Sequence, residues 1–217
     1  MTRRWTTGHG VVTVLAVLLV TGCSAPLQSA RSAATVGPAT LSTAEVLDAA
    51  QEVQDRVAQA GAPQPAGLAI NQALISTWIE EQLTAALAQQ ARVSVSNAEV
   101  ENKLREVAQR NGLSVEKFAE AYAVQEGTWV LPSALRDYTK TFLLQQKVSR
   151  TLGAKGQPAG QAFAKALTRE SQKLGVTVSP RYGAWDAQTL QLVAAPDLVS
   201  VPAQPALPGQ GAGPADR

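Results

Sequence analysis

Only two stretches of this 217-residue chain read as β-strand, and they stand at opposite ends of a long helical middle. ATVGPATLS, Ala34 to Ser42, carries β-branched residues interrupted by a Gly and a Pro. It reads as one short strand and a turn. VTVS, Val176 to Ser179, comes some 130 residues later by number. A lone strand leaves its backbone N–H and C=O groups without partners. The two ends must therefore find each other, with the helices held between them. That pairing predicts a mainly α domain closed by a small β pairing of its N- and C-terminal segments.

The helices announce themselves by caps and by spacing. Ser42 and Glu45 form a Ser-x-x-Glu box, in which each side chain satisfies a free amide of the other residue. Val46, Ala50, Val53 and Val57 follow on one face, and Gly61 and Pro63 end the run. Leu74, Ile75, Trp78, Ile79, Leu83, Leu87 and Ala91 mark a long amphipathic helix, with Glu80 and Glu81 assigned to its solvated side. Ser96 and Glu99 repeat the box ahead of Val100, Leu104, Val107 and Ala108, and Asn111-Gly112 stops that helix. Ser114 caps a short helix with Val115, Phe118 and Tyr122. The spacing of Leu131, Leu135, Tyr138, Phe142 and Val148 predicts a helix over 131–152, with Pro132 in its first turn. GAKGQPAG, residues 153–160, is a linker. Phe163, Leu167 and Leu174 mark a last helix, closed by Gly175.

The first residues have a different character. Arg3 and Arg4 precede the apolar run Val11 to Val20, which is the layout of an export signal. Ten apolar residues are too few to span a bilayer, which takes about 20. Val20-Thr21-Gly22-Cys23 resembles the lipobox of bacterial lipoproteins. The resemblance implies cleavage before Cys23 and acylation of Cys23 as the new N-terminus, anchoring the chain on the extracytoplasmic face of the cell membrane. Cys23 is the only cysteine, so no internal disulfide competes for it. Removal of residues 1–22 takes Arg3 and Arg4 and lowers Lys plus Arg from 19 to 17, against 17 Asp plus Glu. A neutral chain with no basic stripe is a poor partner for nucleic acid. The expected organisation is a signal peptide over 1–22, a tether over 23–33, one domain over 34–186 and a disordered Pro/Gly-rich tail over 187–217.

The chemistry available is narrow. His9 is the only histidine and lies in the export signal. Histidine-based catalysis and histidine metal sites are thereby excluded from the processed chain, and no glycine-rich phosphate loop follows a strand. No cofactor and no enzymatic activity are expected. Among the aromatic residues Trp78, Phe118, Tyr122, Tyr138 and Phe142 fall at core spacing. Trp129 lies in GTWVLP between two helices, where it either plugs a neighbouring helix or faces solvent. Tyr122, Trp129 and Val130 are the candidate contacts for a bound polypeptide, with packing as the alternative.

Val95-Ser96-Asn97-Ala98-Glu99-Val100, Asn111-Gly112-Leu113-Ser114, Gly127 and Leu135-Arg136, in this order behind the first strand and Ser-x-x-Glu helix, resemble the N-terminal chaperone region of SurA- and PrsA-type extracytoplasmic proteins. The resemblance spans roughly Ala33 to Leu152, and Val178 to Trp185 resembles the closing strand of the same family. It implies a helical domain that binds unfolded or exported polypeptides without ATP. SurA- and PrsA-type proteins carry one or two parvulin prolyl isomerase domains after the long helix, each of which takes on the order of 90 residues. Here only residues 153–160 occupy that place, so isomerase activity is not expected. Two readings follow: a membrane-tethered holdase, or a scaffolding envelope lipoprotein that binds one folded partner.

Overall fold

The computed structural model describes residues 31–153 and 158–195. Its first elements are β1, Ser32–Val36, and β2, Ala39–Ser42. Gly37 and Pro38 do more than interrupt a strand. Gly37 takes φ +54°, and the pair forms a two-residue hairpin loop. Glycine at the first loop position is what a hairpin turn of matching twist demands. β3, Val176–Val178, then pairs antiparallel with β1 in the register Ala34↔Val178, Thr35↔Thr177 and Val36↔Val176. The strand order is β2-β1-β3. The two ends of the fold meet as the lone-strand argument requires. Ala33, Ala34 and Val36 are buried beneath the sheet, while the hydroxyls of Thr35 and Thr177 pair on its exposed side.

The expected boundaries move at both ends. β1 begins at Ser32, so the tether expected over 23–33 stops short of it. Ala33 is fully buried, its carbonyl accepting from Ser179 N at 2.8 Å, and the Arg31 carbonyl accepts from Thr43 N at 2.8 Å. Backbone pairing recruits these small residues, and it leaves no mark in side-chain pattern. The chain also stays ordered beyond Asp186. The Asp186 carboxylate accepts from Gln188 N and Thr189 Oγ1 at 2.8 and 2.9 Å. That turn sends β5, Gln191–Val193, back onto β4, Ala184–Asp186. Residues 187–195 thus belong to the fold, whereas Cys23, the export signal expected over 1–22 and the rest of the expected tail, 196–217, lie outside the described residues.

Both Ser-x-x-Glu boxes form. α1, Thr43–Gln59, and α3, Asn97–Arg110, each begin with reciprocal serine and glutamate bonds, and Ser114 accepts from Lys117 N at the start of α4, Val115–Ala123. α2, Gly67–Gln90, is the central element. It starts ahead of Leu74, where the expected apolar run begins, and is buried at Ile70, Ile75, Ile79, Leu83, Leu87 and Ala88. It packs against α1, the first two strands, β5, α5 and α6. α5 spans Leu135–Gly153 rather than starting at Leu131. Ala134 N donates to the Leu131 carbonyl, so Pro132 sits in a turn ahead of the helix. α6, Ala159–Leu174, follows and packs along α5. A Cβ on Gly153 would stand 2.8 Å from Ala159 Cβ, so the two helices nearly touch at their junction.

The last segment locks onto this frame. Pro180–Tyr182 makes one 3₁₀ turn, and the Tyr182 carbonyl accepts from Gln72 Nε2 at 2.9 Å. Tyr182 is buried, and the Trp185 indole donates to Ser171 Oγ at 2.8 Å. Arg181 is exposed, with its guanidinium 5.9 Å from the Tyr182 ring. Two apolar cores result. The larger joins the sheet to α2, α3, α5 and α6. The smaller packs Val53, Val57, Ile70, Trp129 and Leu131.

Candidate polypeptide-binding site

The three candidate contacts separate in the structure. Trp129 and Val130 are each only 4% exposed. After α4, Gly127 turns the chain at φ +81°, and Trp129 itself takes the left-handed φ of +42°. Both Thr128 N and Trp129 N donate to the Gln125 carbonyl. A left-handed backbone costs a non-glycine residue about 1–2 kcal/mol, a cost offset here by burial of the indole against Val53, Val57 and Ile70. Trp129 and Val130 therefore pack mainly into the core, and what they leave uncovered lines a small crevice between α1, α2 and the segment ahead of α5.

Tyr122 is different. It is half-buried on α4, and its ring centroid lies 5.2 Å from that of Phe118 and 5.9 Å from that of Tyr138. These are ordinary distances for paired aromatic rings. Leu104 and Val107 of α3, with Leu135 and Phe142 of α5, complete an open groove of about 320 Å³. Phe142 was expected in the core from its spacing but is 41% exposed. It lines the open groove between α3 and α5, and Lys103 Nζ stands 5.9 Å from its ring centroid. At the rim Lys103 and Arg110 both pair with Glu106. The helical spacing finds all these aromatic residues. It does not tell which of them face a neighbour and which face a gap.

Beyond the groove the two helices that wall it are tied together by a cross-helix lock. Lys147 of α5 pairs with Glu99 and donates to the Ser94 carbonyl at 2.8 Å. The lysine, together with the backbone and side chain of Ser96, holds the Glu99 carboxyl down at about 2. Behind the groove the balance reverses. Burial, then the charges of Asp137 and Glu80, push Glu81 up to about 7. Glu81 is thus half-buried, not on the solvated face expected for it, because α5 lies over that side of α2. Glu80 is exposed and accepts from Gln145 Nε2 at 2.7 Å. Burial and the neighbouring Tyr122 raise the Tyr138 phenol to about 12, so it stays protonated throughout the physiological range.

Among the described residues no three His, Cys, Asp or Glu side chains gather as metal ligands. Thr139 in the groove donates to the Leu135 carbonyl at 2.8 Å, so its hydroxyl is engaged within its own helix. What the fold and groove define is a helical domain with an open aromatic cleft. The family model of the SurA N-terminal domain matches residues 30–148, which cover β1 to most of α5. The chain belongs to that family, and the matched part is its chaperone region, which carries no catalytic domain. No curated protein and no solved structure matches the chain.

Proposed function

We propose that this protein is an extracytoplasmic holdase, tethered to the cell membrane by a lipid on Cys23, that binds unfolded or exported polypeptides without ATP. The supporting observation is the groove: Phe142 lies 41% exposed beside Phe118, Tyr122 and Tyr138. An open aromatic surface on an otherwise well-packed domain marks an interaction site. It favours apolar side chains without demanding one sequence. Prolyl isomerisation is not part of the proposal, because only five residues of sequence, 154–158, separate the end of α5 from the start of α6, too few for a parvulin domain.

The test uses the chain from residue 23 onward with Cys23→Ser, which keeps every described residue. Added in several-fold excess, it should suppress aggregation of an unrelated denatured protein. Tyr122→Ala combined with Phe142→Ala should weaken that suppression while leaving the fold intact. No suppression by the unsubstituted chain would overturn the holdase reading and favour the scaffolding alternative. The tether has its own test. Cys23→Ala should release the protein from membranes or block its processing. Membrane fractionation at an unchanged processed mass would contradict lipidation.

A further inference from the structure

A second cavity lies behind the aromatic groove, between α1, α2 and the segment leading into α5. Its volume is about 170 Å³, well under the roughly 300 Å³ at which drug-sized sites begin. It suits one side chain. The walls are apolar and aromatic, with Leu74, Trp78 and Tyr138 among them, and two carboxylates reach it, Glu45 and Glu81. Glu45 is already engaged, since its carboxylate accepts from Ser42 N at 2.8 Å in the helix cap. Glu81 has no such partner. No lysine or arginine lines the cavity, and α2 contains none along its length. Among the described residues Glu81 makes no salt bridge, and its nearest charged neighbours, Asp137 and Glu80, repel it.

We propose that this crevice receives a basic side chain, arginine or lysine, of the polypeptide held by the protein. Its occupant depends on the holdase reading, while its charge preference does not. A cation entering the crevice comes within reach of the aromatic rings of Trp78 and Tyr138 that line it and meets the Glu81 carboxylate, which makes no salt bridge among the described residues. A neutral or acidic side chain gains neither. Tyr138 lines both this crevice and the aromatic groove. Tyr138 is thus the wall the two sites share. Burial, Asp137 and Glu80 hold the Glu81 carboxyl near 7, and the other titratable groups facing it are Glu45 of α1 and Tyr138 of α5. The preference for a cation should therefore weaken as the pH falls below 7.

Two apolar peptides differing only by Arg or Gln at one position test the idea on the Cys23→Ser chain. The Arg peptide should bind about tenfold tighter, the gain of one charge-assisted pair. Glu81→Gln should bring the two within twofold while leaving the Gln peptide unaffected. Asp48→Asn, on the exposed side of α1, should keep the preference. Equal affinities in the native chain, or a preference that survives Glu81→Gln or vanishes equally with Asp48→Asn, would overturn the proposal. N-acetyl-arginine amide separates this failure from that of the holdase reading. If it shifts the Trp78 indole signal and N-acetyl-norleucine amide does not, the crevice selects cations even if neither peptide binds. If neither peptide binds and the arginine amide shifts nothing, both readings fall.

Discussion

Gly183 shows how little a single residue reveals until its neighbours are known. It takes φ +122°, and a Cβ there would stand 2.5 Å from the Val193 carbonyl oxygen. The sequence marks it as a turn. Only the return of β5 shows that it is also a point of close approach. Gly183→Ala should cost about 2–3 kcal/mol in denaturant unfolding, against about 1 kcal/mol for Gly112→Ala, which has a positive φ but open space around it. Glu81 offers the opposite sign. Its folded value of about 7 lies above the ordinary 4.5, so the folded state binds the proton more tightly. Stability should fall as pH rises through that window. Glu81→Gln should raise the Tm at pH 8 by about 2–4 °C, the shift that about 1 kcal/mol gives a domain of this size. The gain should disappear near pH 4. Trp129 and Phe142 mark the limit of legibility at this scale. Both are large and aromatic, but burial of Trp129 and exposure of Phe142 depend on which neighbouring elements cover them, which their own spacing does not encode.

At the level of elements, the helices were readable because their causes are local. Ser42, Ser96 and Ser114 cap where their side chains suggest, and Asn111-Gly112 and Gly175 end helices where the periodicity stops. The short strands were less readable. β2 has four residues and β5 three, and each is made by a turn that folds it onto a neighbour. Glu99 and Lys147 show a coupling between elements that no local pattern announces. The Glu99 value of about 2 lies below the ordinary 4.5. Its stabilisation is present above the unfolded value and lost as pH falls through the folded one. Lys147→Met should therefore lower stability most above pH 5. The difference from the native chain should shrink as the pH approaches 2, as read by urea unfolding across that range.

For the whole molecule, closure of the fold depends on residues far apart in sequence. β1 is flanked by β2 on one side and β3 on the other. Ending the chain before Val176 removes β3, the buried Tyr182 and the Trp185–Ser171 bond, and it uncovers Ala34 and Val36. Such a truncation should abolish cooperative thermal unfolding, because the lost burial is a large fraction of a domain's net stability. A cooperative transition at an unchanged Tm would mean that the terminal strand does not close the domain. The central claim concerns the groove, and the direct measurement is photo-crosslinking. A photoreactive residue placed at Phe142, and in a separate variant at Leu47, compares two exposed apolar positions, 41% and 50% accessible. Incubated with a denatured client, the Phe142 position should give adducts and the Leu47 position few or none. Equal adducts from both, or adducts from Leu47 alone, would contradict the groove as the site where polypeptides are held.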